Sequence, residues 1–418
     1  MISYKVSLNK LKKSKLRVEN EIINSVNSLN RVTSLDIFNK VNYPAANNAA
    51  FDGFAINSKD TKDLNNKNKK FFRIIGMVAA GDKPLNKRIK KFQSVEIMTG
   101  GIIPRGFDSI IPIEKIKFYP NKDKPKGILI DKKIKKFEHI RFKGSDYKKN
   151  DLLIKKGTIL KPNHILALKT LGIKKIKVKK IPRILFFSTG KEITDKDNIP
   201  NWRIRNRNSN SHYINSLSNS LIFNFEYGGI LRDEDYILFE KKIKKMLKSK
   251  IDIIITSGAV SAGKFDYIPS IVKKFKLSNY FKSVAIRPGK PILFAKFKGK
   301  QKAIFGLPGN PISSAACLRF FVYPYLQESL GIEKEKSIKA ILKNNFVKKK
   351  DFTRFVKSKI NTTQNSKIEV EILKGQESFR IKSFIKSNIW VLLPSGKSKF
   401  KKGDQVDCFL PNYPNLIF

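Results

Sequence analysis

The stretch "IDIIITSGAVSAGKFDY", residues 251–267, decides the fold class that the sequence predicts. Its first part, 251–255, is an apolar run typical of a buried strand, and a loop of small residues follows it. Such a loop lets backbone N–H groups approach an anion closely, so it is a candidate phosphate-binding loop. Ala259 stands where a glycine would be easiest to accommodate, which leaves open that the loop is a damaged copy.

Strand and helix patterns alternate on both sides of this stretch. The strand patterns are "PRILFFSTG" (182–190), "NFEYGGIL" (224–231) and "KAIFGLPGNP" (302–311). Amphipathic segments lie between them, and Asp233 is placed to cap the helix predicted in "DEDYILFEKKIKKML" (233–247). Apolar strands between such helices predict a central doubly wound, mostly parallel sheet. Ligands of such sheets bind at the carboxyl ends of the strands.

The rest of the chain predicts further domains around this sheet. Residues 1–37 are predicted to be helical, because the apolar residues of "LRVENEIINSVNSLNRV" (16–32) recur at helical spacing. Short apolar runs between Gly, Pro and Asp predict a β-rich region over 71–135, and β-type alternation returns near the C-terminus. We therefore expect a multidomain α/β plus β protein with four domains: a helical or linking domain (1–37 with 147–180), a small β-rich domain (38–146), the α/β domain (181–330) and a C-terminal β domain (331–418).

Composition limits the classes of function. The 418 residues include 86 Lys and Arg against 34 Asp and Glu, a net charge of +52. Clustered basic residues would indicate nucleic-acid binding, but here Lys is spread over the whole chain among Asn, Ile and Phe. That mixture is typical of AT-rich codons, so we expect no nucleic-acid partner, although such a surface would steer an anionic substrate.

The chain has two cysteines and no apolar run long enough for a transmembrane helix. The N-terminal residues also lack the pattern of a signal peptide. We expect a cytoplasmic protein without a disulfide framework, a cysteine-based metal site or a membrane partner.

Three small-residue motifs fall at predicted strand ends: "FFSTGKEI" (186–193), "TSGAVSAGKFDY" (256–267) and "FGLPGNPISS" (305–314). Each alone is typical of an ordinary turn, whereas three at one edge of a sheet favour a ligand that carries phosphate. In "IRPGKP" (286–291), Arg287 and Lys290 flank a stiff Pro-Gly turn that suits an oxoanion. The alternative for that turn is a solvated basic loop.

Acidic residues are scarce, so their positions beside turns are informative. Asp52, Glu192, Asp233 and Asp266 are candidates to hold Mg²⁺ beside a phosphate loop, with helix capping or solvation as the alternatives. The three histidines, His139, His164 and His212, share no metal-ligand spacing and are interpreted as structural or surface residues. Cys317 lies in an apolar helix pattern and is expected in the core rather than as a nucleophile.

Eight motifs occur in one order along nearly the whole chain. They are "AFDGFAI" (50–56), "MTGGIIPRGFDSIIPIE" (98–114), "GSD" (144–146), "FFSTGKEI" (186–193), "NSN" (208–210), "ITSGAVSAGKFDY" (255–267), "RPGKP" (287–291) and "LPGNPIS" (307–313). With this collinear set the chain resembles the MoeA family, the molybdopterin molybdenumtransferases, which also includes the C-terminal part of gephyrin. A single one of these motifs would not identify the family, whereas eight motifs in this order do so specifically.

The resemblance implies a homodimer that inserts molybdenum from molybdate into adenylylated molybdopterin and releases AMP with the help of Mg²⁺. A molybdopterin-adenylating enzyme is an expected partner. The resemblance also implies site residues. The implied catalytic residues are Asp266, Ser261 and Asp52. The implied substrate-binding residues are Thr99, Asp146, Thr189, Gly190, Glu192, Ser257, Gly258, Pro308, Gly309 and Asn310. The implied molybdate ligands are Arg287, Lys290, Pro291, Arg354 and Ser378, and the implied metal ligands are Glu192, Asp233 and Asp266.

The chain departs from the family pattern at a few of these motifs. Ala259 replaces a glycine, Asn208 stands where an Asp is usual, Lys191 where an acid is common, and Ser145 replaces one member of an acidic pair. These changes bear on metal affinity more than on the fold. Two other functions stay open from the sequence: adenylylation of molybdopterin by ATP, and a decayed, non-catalytic molybdopterin-binding or scaffold protein.

Overall fold

The computed structural model describes residues 1–83, 85–196, 206–232, 235–258, 271, 274–362 and 367–411. The chain forms two compact units. The larger unit comprises Met1–Leu35, Lys156–Ile165 and Lys175–Phe418, and the smaller unit comprises Asp36–Lys155 and Leu166–Lys174. The fold is therefore of the multidomain α/β class. The boundaries of the four domains predicted from the sequence stay a prediction.

The larger unit is built on a central sheet, which has six strands in the described part of the chain. Their order across the sheet is Asn224–Leu231, Arg183–Thr189, Ile253–Ser257, Ala303–Leu307, Leu293–Lys296 and Ser278–Phe281. The first four are parallel and the last two run antiparallel to their neighbours. The carboxyl ends of three neighbouring strands, at Thr189, Ser257 and Leu307, therefore meet at one edge.

Alternating side chains of the central sheet enter two different apolar cores. Phe186 packs with helical residues of the 311–330 region, whereas Phe187 packs with Phe239 and Ile243. This is the alternation expected of a strand that is buried on both faces. In the described residues of the larger unit, α-helices lie at Tyr4–Lys13, Ser209–Ser216, Ser218–Leu221, Tyr236–Leu247, Pro311–Cys317, Tyr323–Leu330 and Ile381–Lys386, with a π-helical segment at Leu318–Val322.

A second sheet in the larger unit closes on itself. Thr353–Thr362 pairs with both Ile368–Ile372 and Ile389–Leu393, and the circuit is completed through Ile338–Leu342 and Gln405–Phe409. The short strand Ile286–Arg287 joins it by pairing with Thr353–Thr362 in parallel. The connection between the central-sheet strands Ser278–Phe281 and Leu293–Lys296 thus delivers Arg287 to the C-terminal sheet. Two further two-stranded sheets are Ile193–Thr194 with Asn206–Arg207 and Phe346–Val347 with Lys399–Phe400.

The prediction that residues 1–37 are helical is wrong for the stretch 16–32 and is confirmed only for an earlier segment. The helix lies earlier, at Tyr4–Lys13, and Asn20–Asn24 is a strand that pairs antiparallel with Lys175–Lys179. A single 3₁₀ turn, Ser25–Asn27, follows. Ile22, which the helical pattern would bury, is 67% exposed. β-branched residues fit a strand, and pairing with a partner distant in sequence overrides local periodicity.

The smaller unit is rich in β-structure, as predicted over 71–135. Its main sheet has the order Ser109–Pro112, Gly53–Ile56, Gln93–Ile97, Lys70–Val78, Gly127–Ile130 and Lys117–Tyr119. Two small sheets pair Ile37–Phe38 with Leu152–Ile154 and Asn48–Ala49 with Ile140–Arg141. The helix Pro162–Thr170 begins in the larger unit and ends in the smaller one, before Gly172 with its φ of +70°. Over the residues described here, no helix has both the length and the apolar character needed to cross a bilayer.

Candidate functional site

A cavity of about 860 Å³ lies in the larger unit at the carboxyl ends of the parallel strands. This is the position at which sheets of this kind bind their ligands, and the volume is within the range of small-molecule sites. Its lining comprises Ser188, Thr189, Gly190, Lys191, Glu192, Ile193, Asn206, Arg207, Asn208, Ser209, Asn210, Ser257, Gly258, Gly309, Asn310, Pro311, Phe379 and Ile381.

Seven of the residues implied for substrate binding come together in this lining. They are Thr189, Gly190, Glu192, Ser257, Gly258, Gly309 and Asn310. Pro308 is buried beneath them, where its carbonyl oxygen accepts a hydrogen bond of 3.4 Å from Ser257 Oγ. The expectation that the three strand-end motifs meet at one edge of the sheet is confirmed. The binding roles of these residues stay a prediction.

Gly258 has a conformation and a position that require glycine. Its φ is +101°, and a Cβ there would lie 2.5 Å from Thr189 Oγ1 and 2.7 Å from Thr189 O. Its N–H donates to Leu307 O at 2.8 Å, so it joins two neighbouring strand ends. The next residue, Ala259, lies outside the described residues, as do Ser261 and Asp266 and the predicted cap Asp233.

Asn210 connects the strand-end loops. Its Nδ2 donates to Ser257 Oγ at 2.5 Å and to the carbonyl oxygen of Gly309 at 2.9 Å. Thr189 Oγ1 also donates to Ser257 O, at 2.9 Å. These bonds hold the three strand-end loops and the segment that carries Asn210 together in one wall of the cavity. The sequence motif "NSN" marked this position, but its spacing did not predict these bonds.

Asn208 is buried and stands at the centre of a polar network. Its Oδ1 accepts from Ser188 Oγ at 2.5 Å, and its Nδ2 donates to Asp195 Oδ1 at 2.7 Å and to Tyr227 Oη at 2.8 Å. Tyr227 Oη in turn donates to Asp195 Oδ2 at 2.8 Å. Burial, helped by Asp195, raises the pKa of Tyr227 above its ordinary value. A carboxylate is therefore present beside Asn208, and sequence reasoning missed it because Asp195 belongs to no motif.

Glu192 brings a carboxylate into the cavity lining. A Cβ on Gly190, whose φ is +131°, would lie 2.6 Å from both carboxylate oxygens of Glu192, so this glycine allows the carboxylate to fold back over the turn. The described part of the chain holds no group of three or more His, Cys, Asp or Glu residues arranged for a metal.

The implied molybdate ligands lie on the strand Ile286–Arg287, the turn after it, the C-terminal sheet and the loop before the helix Ile381–Lys386. Arg287 and Arg354 are paired residues of adjacent parallel strands. The Arg287 guanidinium lies 5.3 Å from the ring centroid of Phe352, and that of Arg354 lies 5.4 Å from Phe346. Burial first, and then the charge of Arg287, lowers the pKa of Arg354. Two stacked cations at one place favour an anion.

The turn that follows Arg287 is tightly packed. Gly289 has a φ of +100°, and a Cβ there would lie 2.5 Å from Cys317 Sγ. Lys290 after it is exposed and Pro291 is half-buried. Cys317 is fully buried, and burial raises the pKa of its thiol, so the expectation of a core cysteine is confirmed. The fifth implied ligand, Ser378, is half-buried in the loop before the helix Ile381–Lys386.

Asp52, Thr99 and Asp146 belong to the smaller unit. Asp52 Oδ1 accepts from Thr99 N at 2.6 Å and from Thr99 Oγ1 at 2.8 Å. These bonds lower the pKa of Asp52. Asp146 is exposed, and its N–H donates to Tyr43 O at 3.1 Å. The structure therefore joins two of the three residues directly.

Two histidines have contacts within the chain. His164 Nδ1 accepts from Lys161 N at 3.0 Å, and burial lowers its pKa. The His139 ring packs edge-on against Phe51. Both contacts are of the structural kind that the sequence predicted.

The cavity lies where α/β sheets of this class bind their small-molecule ligands, at the carboxyl ends of the strands. Three family models cover nearly the whole chain: the MoeA N-terminal region (domains I and II) over residues 2–172, a probable molybdopterin binding domain over 186–328 and the MoeA C-terminal region (domain IV) over 339–410.

Curated relatives agree with these matches. The chain is 33% identical over 387 residues to the molybdopterin molybdenumtransferase of Staphylococcus aureus strain COL, covering 92% of this chain and 89% of the relative. It is 30% identical over 414 residues to the Staphylococcus epidermidis protein of the same name, strain ATCC 12228, covering 98% and 95%. The chain therefore belongs to the MoeA family of molybdopterin molybdenumtransferases.

The fold agrees with a solved structure as well. The molybdopterin biosynthesis moeA protein from Pyrococcus horikoshii OT3 superposes with a TM-score of 0.82 at 24% identity, over 98% of this chain and 100% of that chain. This likeness concerns the fold alone.

Proposed function

We propose that this enzyme takes molybdate and adenylylated molybdopterin, inserts molybdenum into the pterin and releases AMP. The observation that carries the proposal is the cavity at the strand ends, where Ser257, Gly258, Gly309 and Asn310 meet. Membership of the family and the molybdenumtransferase names of its relatives support the same reaction.

The substrate would lie with its phosphates against the Ser257–Gly258 turn. Gly258 lets the backbone of one strand end approach the next, and loops of this kind bind phosphate through backbone N–H groups. Thr189, Gly190, Glu192, Pro308, Gly309 and Asn310 are proposed to complete this subsite. Ser261, Asp266, Asp52, Thr99 and Asp146 are proposed from the resemblance alone.

Molybdate is a doubly charged oxoanion, so its site needs rigid cations. Arg287 and Arg354 meet that need because they are paired on two strands and stacked on aromatic rings. Lys290, Pro291 and Ser378 are proposed as the remaining ligands. The molybdenum itself would be held by the sulfur atoms of the pterin, which is consistent with both cysteines being buried.

Mg²⁺ fits the residues present. This ion is bound in proteins by one or two carboxylates together with substrate phosphates, and Glu192 supplies one carboxylate in the cavity lining. Asp233 and Asp266, outside the described residues, are proposed as further ligands. When bound, Mg²⁺ would neutralise charge at the phosphates of the leaving AMP.

The remaining proposals concern the domain layout, the sheet, the assembly, the cellular location and the partner enzyme. The chain would consist of four domains with the boundaries predicted from the sequence, and its central sheet would be doubly wound and of the molybdopterin-binding type. It would work as a homodimer in the cytoplasm. A molybdopterin-adenylating enzyme would deliver the substrate.

The test is release of AMP from adenylylated molybdopterin by the purified protein, with and without molybdate and Mg²⁺. Release that requires molybdate and disappears in Asp266→Ala supports the proposal and shows that Ala259 is tolerated. Tight substrate binding without release would mean that only a binding protein remains. Absence of binding would overturn the assignment.

A further inference from the structure

An aromatic side chain from the C-terminal part of the chain lines the strand-end cavity. Phe379 is 64% exposed, and it shares the lining with Ser257, Gly258 and Asn210. A single exposed ring on an open surface would need no explanation. A ring placed in a cavity with hydroxyl, amide and backbone groups is different, because it offers a planar apolar face to whatever binds there.

The loop that carries Phe379 is firmly held. Lys357 is buried, and its Nζ donates to three carbonyl oxygens of the loop: Gly375 at 2.8 Å, Glu377 at 3.1 Å and Arg380 at 3.2 Å. These bonds bracket Phe379 in sequence. The ring is therefore presented by a fixed backbone rather than by a freely moving loop.

Two other side chains fasten the same loop. Gln376 exchanges hydrogen bonds with the backbone of Lys357, accepting from its N–H at 2.9 Å and donating to its carbonyl at 2.7 Å. Ser383 Oγ donates to Gly375 O at 2.6 Å. Pre-organisation of this kind reduces the entropy lost when a ligand binds.

Arg380 contacts the ring from within the chain. Its guanidinium carbon lies 5.3 Å from the ring centroid of Phe379, a cation–π distance. With 64% of the residue exposed, the ring keeps accessible area despite this contact. A cation on the ring also suits a site that receives an anionic ligand.

We propose that Phe379 is a stacking face for the planar heterocycle of the substrate. This inference rests on the proposed function, which supplies two such rings, the adenine and the pterin. The cavity of about 860 Å³ is large enough for a nucleotide-sized ligand. Stacking of a base on an aromatic side chain contributes roughly 1–3 kcal/mol, or about 5- to 150-fold in affinity.

The experiment measures equilibrium binding by calorimetry for wild type, Phe379→Ala and Phe379→Tyr. The probes are AMP, 7,8-dihydropterin and ribose 5-phosphate, which has no ring system. Phe379→Ala is expected to weaken one ring-bearing probe at least ~5-fold, and Phe379→Tyr to retain its affinity. Loss for AMP assigns the face to adenine, and loss for dihydropterin assigns it to the pterin.

The control variant is Ile385→Ala, on the helix Ile381–Lys386, because Ile385 is 78% exposed and does not line the cavity. It is expected to bind all probes as wild type does. The inference would be overturned if Phe379→Ala bound both ring-bearing probes as tightly as wild type does. It would also be overturned if the variant lost as much affinity for ribose 5-phosphate as for the ring-bearing probe. In either case molybdate-dependent AMP release by the wild type would leave the proposed function intact. A wild type that binds neither ring-bearing probe would overturn the inference alone, because the proposed function is tested separately by AMP release from the whole substrate.

Discussion

Arg287 and Arg354 are paired residues on two adjacent parallel strands, and each guanidinium stacks on a phenylalanine ring. The pairing brings like charges together, and the pKa of Arg354 is lowered by burial and then by Arg287. Like charges at close range destabilise the protein when no anion is present. The same arrangement would bind a dianion strongly, because the anion removes the repulsion and the strands hold both donors in place.

Arg354→Met tests this arrangement, since the methionine keeps packing on Phe346 but removes the charge. Without an oxoanion we expect the melting temperature to stay unchanged or rise. The stabilisation by molybdate is expected to fall, because loss of a charged hydrogen bond weakens binding roughly 10- to 100-fold. Thermal melting at graded molybdate concentrations measures both effects.

Lys298→Met is the control for Arg354→Met, because Lys298 is an exposed cation on the same unit. It changes the net charge equally and should leave the molybdate dependence unaltered. If Arg354→Met responds to molybdate as the wild type does, the arginine pair is not the oxoanion site.

Gly258→Ala is expected to destabilise the protein through a clash as well as through backbone strain. The positive φ alone costs about 1–2 kcal/mol. The new Cβ would also meet the backbone oxygen of Thr189 at 2.7 Å, and such overpacking adds roughly 1–3 kcal/mol. Urea unfolding measures the total.

Gly299→Ala separates the two contributions. Gly299 also has a positive φ, of +69°, but a Cβ there would have nothing within 4 Å. We expect the free energy of unfolding of Gly299→Ala to fall only by the cost of the backbone strain. Equal losses in the two variants would show that the contact between Gly258 and Thr189 carries no special constraint.

Much of the central sheet is predictable from local pattern. The run "NFEYGGIL" forms the strand Asn224–Leu231, and the apolar run before the small-residue loop forms Ile253–Ser257. Because parallel strands place their carboxyl ends together, the meeting of Thr189, Ser257 and Gly309 at one cavity follows from strand order alone.

The features that the sequence did not predict depend on distant partners. The strand Asn20–Asn24 forms because Lys175–Lys179 pairs with it, which no local window contains. Phe379 lines the cavity from the loop after the strand Ile368–Ile372, about 70 residues beyond the last strand-end motif, so no local window contains both. The resemblance implied that Arg287 and Arg354 share a molybdate pocket, but it did not predict their pairing on adjacent strands.

Lys357 should give the protein a distinctive dependence of stability on pH. The pKa of Lys357 is lowered from 10.5 to about 8, chiefly by burial. Glu377 opposes this shift, and the charges of Arg354 and Arg380 add to it. Between about pH 8 and pH 10.5 the unfolded chain therefore holds this proton and the folded chain does not. The contribution of Lys357 to the free energy of unfolding rises with pH in that window and is constant below it.

The measurement is urea unfolding of wild type and Lys357→Met from pH 7 to pH 10. The difference between the two free energies of unfolding is expected to grow in favour of the wild type above about pH 8. Lys359→Met, an exposed lysine on the same strand, is the control and should show a constant difference. A constant difference for Lys357→Met as well would contradict the prediction.

Asn208→Asp introduces the Asp that the family resemblance implies at this position, yet we expect it to destabilise this protein. The buried amide donates to Asp195 and to Tyr227, and a carboxylate would lose both bonds while facing Asp195 directly. Loss of such partners costs on the order of 2–3 kcal/mol. The repulsion raises the pKa of the carboxylate pair, so the folded variant binds an extra proton and its deficit should shrink as the pH falls.

The double variant Asn208→Asp/Asp195→Asn exchanges the carboxylate and the amide between the two positions. The double variant restores a hydrogen bond between the two positions, because the amide at position 195 can donate to the carboxylate at position 208. It also removes the contact between two carboxylates. We therefore expect the double variant to regain most of the stability that Asn208→Asp loses, with a coupling energy of about 1–3 kcal/mol in a double-mutant cycle. Simple additivity of the two single changes would show that Asp195 does not compensate for Asn208. Recovery would mean that the carboxylate of this network has moved to position 195 without being lost.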